Sequence, residues 1–170
     1  MIWVIFDEQD RRTAAPAFSL ARKSGVRVSL QDYYEKSSLA LLFLHEADSL
    51  GKACPACWET LRGFAAHREA YRLQGADILA VVRDDYKLSA MDAYPDDLPF
   101  PLLSDPAGRV RQKYAAMMAA ELAPESYCMA FLLDPYGAPY AAYGAAELDR
   151  VALHEEALSW LQYISVQCPE

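Results

Sequence analysis

Three short apolar runs constrain the fold of this chain more than any other feature. They span 39–44, 77–82 and 129–133, and each has the length of one β-strand. The first run is apolar without interruption, which is typical of a strand buried on both faces. A strand of this kind needs helices on both sides of its sheet. We therefore predict that the three runs are neighbouring strands in one sheet, with helices on both faces.

The segments between these runs predict the order of the other elements. Turn residues and apolar periodicity predict a hairpin, three helices and a further strand. In the N-terminal half they are a hairpin of 15–20 and 26–30 with a turn near Gly25, and a helix from Cys54 that ends near Gly75. Irregular chain at Pro95, Pro99 and Pro101 separates these from a helix over 107–120 and a strand at 139–143 that pairs with 129–133. The last helix carries an apolar stripe of Val151, His154, Leu158, Leu161 and Ile164.

This order of strand, helix, strand, helix, hairpin and helix is that of a thioredoxin-like α/β fold. An N-terminal hairpin and a helical insertion are added to it. The length of 170 residues and the 54% of hydrophobic residues predict a single domain over 1–170. The first strand–helix–strand unit carries a Cys-x-x-Cys motif at the carboxyl end of its first strand, where α/β folds commonly place their sites.

Charge and apolar patterning exclude several classes of partner. The formal net charge of −8 argues against nucleic acid and against an anionic membrane surface, because both require basic residues. The sequence has no apolar run near the roughly 20 residues of a membrane span. Its first eight residues also lack the basic leader and cleavage site of a signal peptide. These patterns predict a cytoplasmic protein.

The motif at Cys54 and Cys57 predicts thiol redox chemistry. Pro55 suits the first position of a helix, so Cys54 falls at or near the N-cap. There the unpaired backbone N–H groups and the helix dipole favour the thiolate, which is the reactive form of cysteine. Cys57 lies one turn further along the same side and is more shielded. We predict that Cys54 attacks the substrate and Cys57 resolves the resulting intermediate.

Two other interpretations of the motif stay open. It could supply half of a zinc site, completed by His45, His67, Cys128 or Cys168. The chain has no second Cys-x-x-Cys and no paired histidines at zinc-finger spacing. Alternatively, the two cysteines could be purely structural. No metal or other cofactor is predicted.

Four stretches of the chain resemble the peroxiredoxin (AhpC/TSA) branch of the thioredoxin-fold superfamily. They are 15–20 (APAFSL), 28–33 (VSLQDY), 99–108 (PFPLLSDPAG) and 131–137 (FLLDPYG). Their order and spacing cover most of the chain. The resemblance implies a thiol-dependent antioxidant or oxidoreductase function, with small peroxides or a thioredoxin-type protein as partners. It also implies a homodimer.

The resemblance does not extend to the residues that bind peroxide in the family. Peroxiredoxins carry Pro and Thr seven and three residues before the reactive cysteine. Counting back from Cys54 gives Ala47 and Gly51, so neither is present. Counting back from Cys57 gives Leu50 and Cys54, which also fail to supply the pair. The Cys-x-x-Cys itself is similar to that of thioredoxin-type proteins.

The family's active-site arginine corresponds to Cys128 here. Thr and Arg stabilise the charge that develops on the peroxide oxygens, so their loss weakens the case for fast peroxide reduction. Strand alternation puts Cys128, Ala130 and Leu132 on one face. If that face is the family's arginine-bearing face, Cys128 points towards the motif and can form a disulfide with Cys54. The alternative is a small apolar core residue.

We therefore predict a thiol:disulfide oxidoreductase that cycles Cys54 and Cys57 between dithiol and disulfide. The alternatives are a peroxidase that forms a sulfenic acid at Cys54, and a non-catalytic or zinc-holding module. Three other residues have two interpretations each, and a fourth has one. Glu59 either accepts protons from the buried thiol or is a first-turn acid that complements the helix dipole, and Arg83 either replaces the missing arginine or is a solvated strand end. Trp58 either shapes a substrate surface or packs in the core. His154 is predicted to be a core histidine.

Overall fold

Eight strands form one mixed sheet in the part of the chain that the computed structural model describes, residues 3–45, 52–84, 90–118, 128–145 and 153–167. Their order in the sheet is β1-β8-β7-β4-β5-β6-β2-β3. The strands are β1 (Trp3–Ile5), β2 (Ser19–Arg22), β3 (Arg27–Ser29), β4 (Ser38–Leu44), β5 (Ala76–Asp84), β6 (Leu102–Pro106), β7 (Cys128–Leu133) and β8 (Pro139–Ala145).

Five α-helices accompany the sheet in the described residues. They are α1 (Glu8–Arg11), α2 (Pro55–Ala66), α3 (Arg68–Leu73), α4 (Arg109–Ala115) and α5 (Leu153–Gln167). Single turns of 3-10 helix lie at Leu30–Tyr33 and Ala90–Ala93. Within these described segments, no helix is both long and apolar enough to cross a bilayer.

The three predicted core strands are neighbours, as the apolar runs indicated. β4 pairs in parallel with β5 and antiparallel with β7. Parallel neighbours need a crossover connection, and α2 and α3 supply it. Both predicted hairpins are present, because β2 pairs with β3 and β7 pairs with β8, but the first strand of the N-terminal hairpin was predicted over 15–20 and is found at Ser19–Arg22. The fold is the predicted thioredoxin-like α/β architecture.

Side-chain alternation along the central strands builds two separate cores. Ala40, Leu42 and Leu44 of β4 belong to one core, on the face covered by α2, α3 and α5. Leu41 and Phe43 of the same strand belong to the other, on the face covered by α4. All seven residues of β4 are buried, so helices cover both faces of the sheet as predicted.

Two strands and two helix limits differ from the prediction. The short strands β1 and β6 were not predicted, because neither alternates strongly enough to stand out from irregular chain. The helix expected over 107–120 begins only at Arg109 and ends at Ala115 in the described residues. Ala107 and Gly108 have φ of 58° and 64°, so the chain makes a left-handed turn before this helix. The helix predicted from Cys54 to near Gly75 is interrupted at His67, which separates α2 from α3. Gly75 follows the end of α3 and has a left-handed φ of 65°.

Candidate active site

The carboxyl end of β4 faces the start of α2, and the Cys-x-x-Cys motif lies there. Cys54 is the N-cap of α2, and Pro55 is the first helical residue, as predicted. Proline suits this position because the missing N–H has no intrahelical acceptor to bond. Cys54 is half-buried and Cys57 is buried. The predicted difference in exposure between the two thiols is therefore confirmed.

Of the two motif cysteines, Cys57 has the more enclosed sulfur atom, and three groups contact that atom. The backbone N–H of His45 donates to Cys57 Sγ over 3.4 Å. The His45 Nδ1 lies 3.7 Å from the same sulfur. The third contact is the Cys128 thiol, with a sulfur–sulfur distance of 3.1 Å.

Contact with Cys128 and burial both raise the pKa of the Cys57 thiol well above its usual range. The contact with Cys128 is the larger cause, and the hydrogen bonds from His45 act in the opposite direction. Desolvation disfavours a buried thiolate, so Cys57 is protonated in the reduced protein at neutral pH. A protonated, enclosed thiol fits the predicted resolving role better than the attacking one.

Cys128 lies on β7 and is fully buried. Its side chain is on the sheet face that packs against α2, together with Ala130 and Leu132. The prediction that Cys128 points towards the motif is confirmed. Its sulfur neighbour is Cys57 rather than Cys54, the cysteine for which a disulfide with Cys128 was considered.

His45 connects the two motif cysteines. It directly follows β4, and its Nδ1 lies 3.4 Å from Cys54 Sγ and 3.7 Å from Cys57 Sγ. A ring nitrogen in this position can accept a proton from either thiol. Sequence analysis named His45 only as a candidate zinc ligand. His45 directly follows a buried strand, at the strand end that faces the Cys-x-x-Cys motif. This place in the sequence could have indicated that it belongs to the site.

Tyr94 adds a buried hydroxyl to the core that contains Cys57 and Cys128, and it was not among the predicted site residues. Its side chain is buried, and its ring lies 6.4 Å from the ring of Trp58. Burial, followed by the charges of the three cysteines, raises the pKa of Tyr94 above its usual range. Its hydroxyl has no hydrogen-bond partner among the described residues. Trp58 is half-buried and packs against the same core, and it also directly follows Cys57 in the motif.

Two arginines lie near this end of the sheet, and neither substitutes for the family's arginine at Cys128. Arg111 is buried, and its Nη1 donates to the Leu44 carbonyl over 3.2 Å. It thereby fixes the end of β4, one residue before His45. The Arg83 stem packs over Gly108, where a β-carbon would lie 3.2 Å from its Cδ. Alternation along β5 places Arg83 on the face opposite the cysteines.

The segment 99–108 acts as a structural support rather than as part of the site. The carboxylate of Asp105 is buried and accepts hydrogen bonds from the backbone N–H groups of Val110 and Arg111, over 3.1 and 2.8 Å. These bonds satisfy the first turn of α4. The segment therefore holds the helix that positions the Arg111 guanidinium under β4.

Glu59 is not placed as a proton acceptor. Its side chain is exposed and pairs with Arg62 over 3.2 Å, one turn further along α2. An exposed pair of this kind contributes little to stability. His154 is buried as a core histidine, as predicted, with its ring 4.2 Å from that of His67. The structure thus separates this histidine pair from the cysteine site.

The candidate zinc ligands also fall into two separate groups, one at the cysteine site and one at the histidine pair. His45, Cys57 and Cys128 offer ligand atoms that all lie within 4.8 Å of one another. His67 instead groups with His154 and Glu155. Cys168 lies outside the described residues, as do Ala47, Leu50 and Gly51. A nitrogen and two sulfurs form a ligand set that suits zinc.

Proteins of known sequence and known structure are similar to this chain over most of the described fold. Peroxiredoxin Q of Triticum aestivum, a chloroplastic protein, is 27% identical over 111 residues, which are 65% of this chain and 48% of that protein. This chain thus spans about half the length of the curated relatives that it matches. The peroxidoxin BcpB of Mycobacterium tuberculosis superposes with a TM-score of 0.68 at 20% identity, covering 89% of this chain and 96% of that one.

A third similar structure comes from Chlorobium tepidum and is described as a thiol:disulfide interchange protein, DsbE. Its TM-score is 0.63 at 25% identity, with 87% of this chain and 95% of that chain covered. The family model of AhpC/TSA matches residues 12–146, which include the whole site from His45 to Cys128. The chain belongs to the AhpC/TSA family.

Proposed function

We propose that this chain is a thiol-dependent oxidoreductase that cycles Cys54 and Cys57 between a dithiol and a disulfide. The observation that carries the proposal is the position of His45 beside both sulfurs, 3.4 Å from Cys54 Sγ and 3.7 Å from Cys57 Sγ. A single ring nitrogen there can serve both halves of a thiol-exchange cycle. Membership of the AhpC/TSA family supports the same chemistry.

The proposed cycle begins at the half-buried Cys54. Its thiolate attacks one sulfur of a substrate disulfide, and the other substrate sulfur leaves with the electron pair of the broken bond. Cys57 then gives its proton to His45 and attacks Cys54 Sγ. This step releases the second substrate thiol and leaves a Cys54–Cys57 disulfide. The substrate gains two electrons from the protein, and a thioredoxin-type reductant then supplies two electrons that reduce the Cys54–Cys57 disulfide to the dithiol.

A hydroperoxide is the second candidate substrate, and the peroxiredoxin Q relatives favour it. Here Cys54 attacks a peroxide oxygen, the O–O bond breaks, and the protonated leaving group departs as water or an alcohol. Cys57 resolves the sulfenic acid with loss of water. Because the family's arginine position is the buried Cys128, no guanidinium from that position stabilises the leaving oxygen. We therefore expect slower turnover with peroxide than with disulfides.

A zinc-holding module is the third candidate, and the close grouping of His45, Cys57 and Cys128 favours it. Metal analysis of the reduced protein after desalting tests this candidate. The oxidoreductase proposal expects less than stoichiometric zinc and free thiols at Cys54 and Cys57. One tightly held zinc per chain would contradict it. The cytoplasmic location and the homodimer stay predictions.

Insulin reduction and hydrogen peroxide consumption test the proposed function directly. We expect Cys54→Ser to abolish both activities, because it removes the attacking sulfur. We expect Cys57→Ser to stop turnover but to leave one round of attack at Cys54. Glu59→Gln is the matched control, since Glu59 is exposed and paired with Arg62. Activity that persists in Cys54→Ser would contradict the proposal.

A further inference from the structure

The site contains a third sulfur atom that the proposed cycle does not use. Cys128 Sγ lies 3.1 Å from Cys57 Sγ, and both side chains are fully buried. A disulfide bond is about 2.05 Å long, so the two atoms need to approach by only about 1 Å. Rotation of the two side chains can supply that movement.

We propose that Cys128 forms a buried disulfide with Cys57 and so takes over the oxidised state from Cys54. This inference rests on the proposed function, because the Cys54–Cys57 disulfide is its starting point. Cys128 then belongs to the redox site as an exchange partner, and Cys54 becomes a free thiol again while the protein is still oxidised.

The exchange step balances without any external oxidant. Cys128 Sγ attacks Cys57 Sγ, and a Cys128–Cys57 bond forms while the Cys57–Cys54 bond breaks. The electron pair of the broken bond leaves on Cys54 Sγ. The proton lost by Cys128 goes to Cys54, with His45 Nδ1, 3.4 Å from that sulfur, as the group able to pass it on. The protein contains one disulfide before the step and one after it.

The surroundings of the three sulfurs favour the exchanged state. Cys54 is half-buried at the start of α2, so water and the helix N-terminus stabilise its charge when it leaves. Cys57 and Cys128 lie in an apolar core that includes Leu61 and Ala130. A disulfide has no polar hydrogen, so the exchange removes the buried S–H group of Cys128 from surroundings that stabilise it poorly, and the S–H group of Cys54 that replaces it is half-buried.

The exchanged state has a chemical consequence. The oxidising equivalents are held in the core, where a protein reductant does not reach them directly. Cys54, in contrast, is free to attack a second substrate molecule. We therefore expect oxidised wild type to retain one alkylatable motif cysteine and to be reduced more slowly than a variant that lacks Cys128.

Peptide mapping of the full-length protein distinguishes the two disulfides. Trypsin leaves both motif cysteines in peptide 53–62 and Cys128 in peptide 114–150. The reduced protein, treated with chelator, is oxidised with one equivalent of diamide, blocked with N-ethylmaleimide and digested without reduction. We expect more than about half of the oxidised molecules to yield 53–62 linked to 114–150, with the maleimide on Cys54.

Cys128→Ser separates failure of this inference from failure of the proposed function. In this variant, we expect the same treatment to give an internal Cys54–Cys57 disulfide in peptide 53–62. We also expect its oxidised form to be reduced by a thioredoxin-type protein at least about tenfold faster than oxidised wild type. Wild type with an internal disulfide in 53–62 and a labelled Cys128 would overturn the exchange but leave the proposed function intact. Wild type without either disulfide would overturn both.

Discussion

The central strands β4, β5 and β7 present side chains of different size to the two faces of the sheet, although aromatic residues from other elements pack on both faces. Towards α2 and α5, the central strands present small residues such as Ala40, Ala80 and Ala130. Towards α4, the same strands present Phe43 and Phe131 among other large residues. Small side chains fill less of the layer between sheet and helix, and it is in this layer that the cysteine sulfurs meet. We infer that the strand alanines leave room for the sulfurs on one face (the cysteine face), whereas the strand phenylalanines fill the corresponding layer on the other (the aromatic face).

Truncation on the aromatic face should have the largest effect. Phe131 is fully buried, and its ring lies 5.1 Å from Tyr114 and 6.1 Å from Phe43. We expect Phe131→Ala to lower the free energy of unfolding by about 3–5 kcal/mol, because it leaves a cavity in this stack. Urea denaturation measures the change.

The comparison also predicts what Phe131→Ala leaves unaltered. Under conditions where the variant is folded, the order in which its cysteines react should be that of wild type. Tyr163→Ala is the aromatic control, since Tyr163 is half exposed, and it should change stability by no more than about 0.5 kcal/mol. A large loss at Tyr163, or a reversed thiol order in Phe131→Ala, would break the division between the two faces.

The second prediction compares the two thiols within the cysteine face. In the reduced protein at neutral pH, iodoacetamide should label Cys54 at least about 100-fold faster than Cys57. Cys54 is half-buried, whereas Cys57 is enclosed and protonated, so its labelling requires local opening. Quenched-flow labelling with peptide mapping measures both rates. Faster labelling of Cys57 would exchange the attacking and resolving roles.

The third prediction concerns the imidazole between those thiols. We expect His45→Asn to slow reduction of a small disulfide such as glutathione disulfide by about tenfold or more near neutral pH. The substitution keeps the backbone N–H that donates to Cys57 Sγ, so the loss reports the ring itself. His67→Asn is the control, because His67 lies with His154 rather than with the cysteines. Equal rates in both variants would remove His45 from the chemistry.

The smallest effect is a pH dependence of stability on the cysteine face. Burial, and next the neighbouring His67, lower the pKa of His154 below its usual value. The unfolded chain therefore binds a proton more readily than the folded one as pH falls below about 6.5. Stability contributed by neutral His154 is present above that pH and is lost as pH decreases towards the folded pKa.

We expect His154→Gln to reduce this acid-dependent loss by less than about 1 kcal/mol between pH 7 and pH 5. Thermal unfolding of wild type and variant at several pH values measures the difference. Identical pH profiles would show that another group is responsible. A steeper profile in the variant would reverse the sign of the proposed effect.

Local sequence patterns were sufficient for the central strands and for the start of α2. β4 is apolar at almost every position, and Cys54-Pro55 is a strong helix-start signal, so neither depends on distant contacts. The strands β1 and β6 depend on tertiary pairing instead, since β1 is stabilised by β8 and β6 by β5 and β2. The same contrast between local patterns and tertiary contacts applies to the site. The place of the motif cysteines at the start of α2 was accessible from spacing, but the 3.1 Å contact of Cys57 with Cys128 depends on how α2 packs on β7.

The proposed function requires that the chain holds a reversible two-electron thiol couple that uses Cys57. Equilibration of the protein in dithiothreitol redox buffers, followed by alkylation and intact-mass measurement, tests it most directly. We predict one transition in which two thiols per monomer convert reversibly into one intramolecular disulfide, and that Cys57→Ser eliminates this transition. Four alkylatable thiols at every buffer potential, or an unchanged transition in Cys57→Ser, would contradict the account.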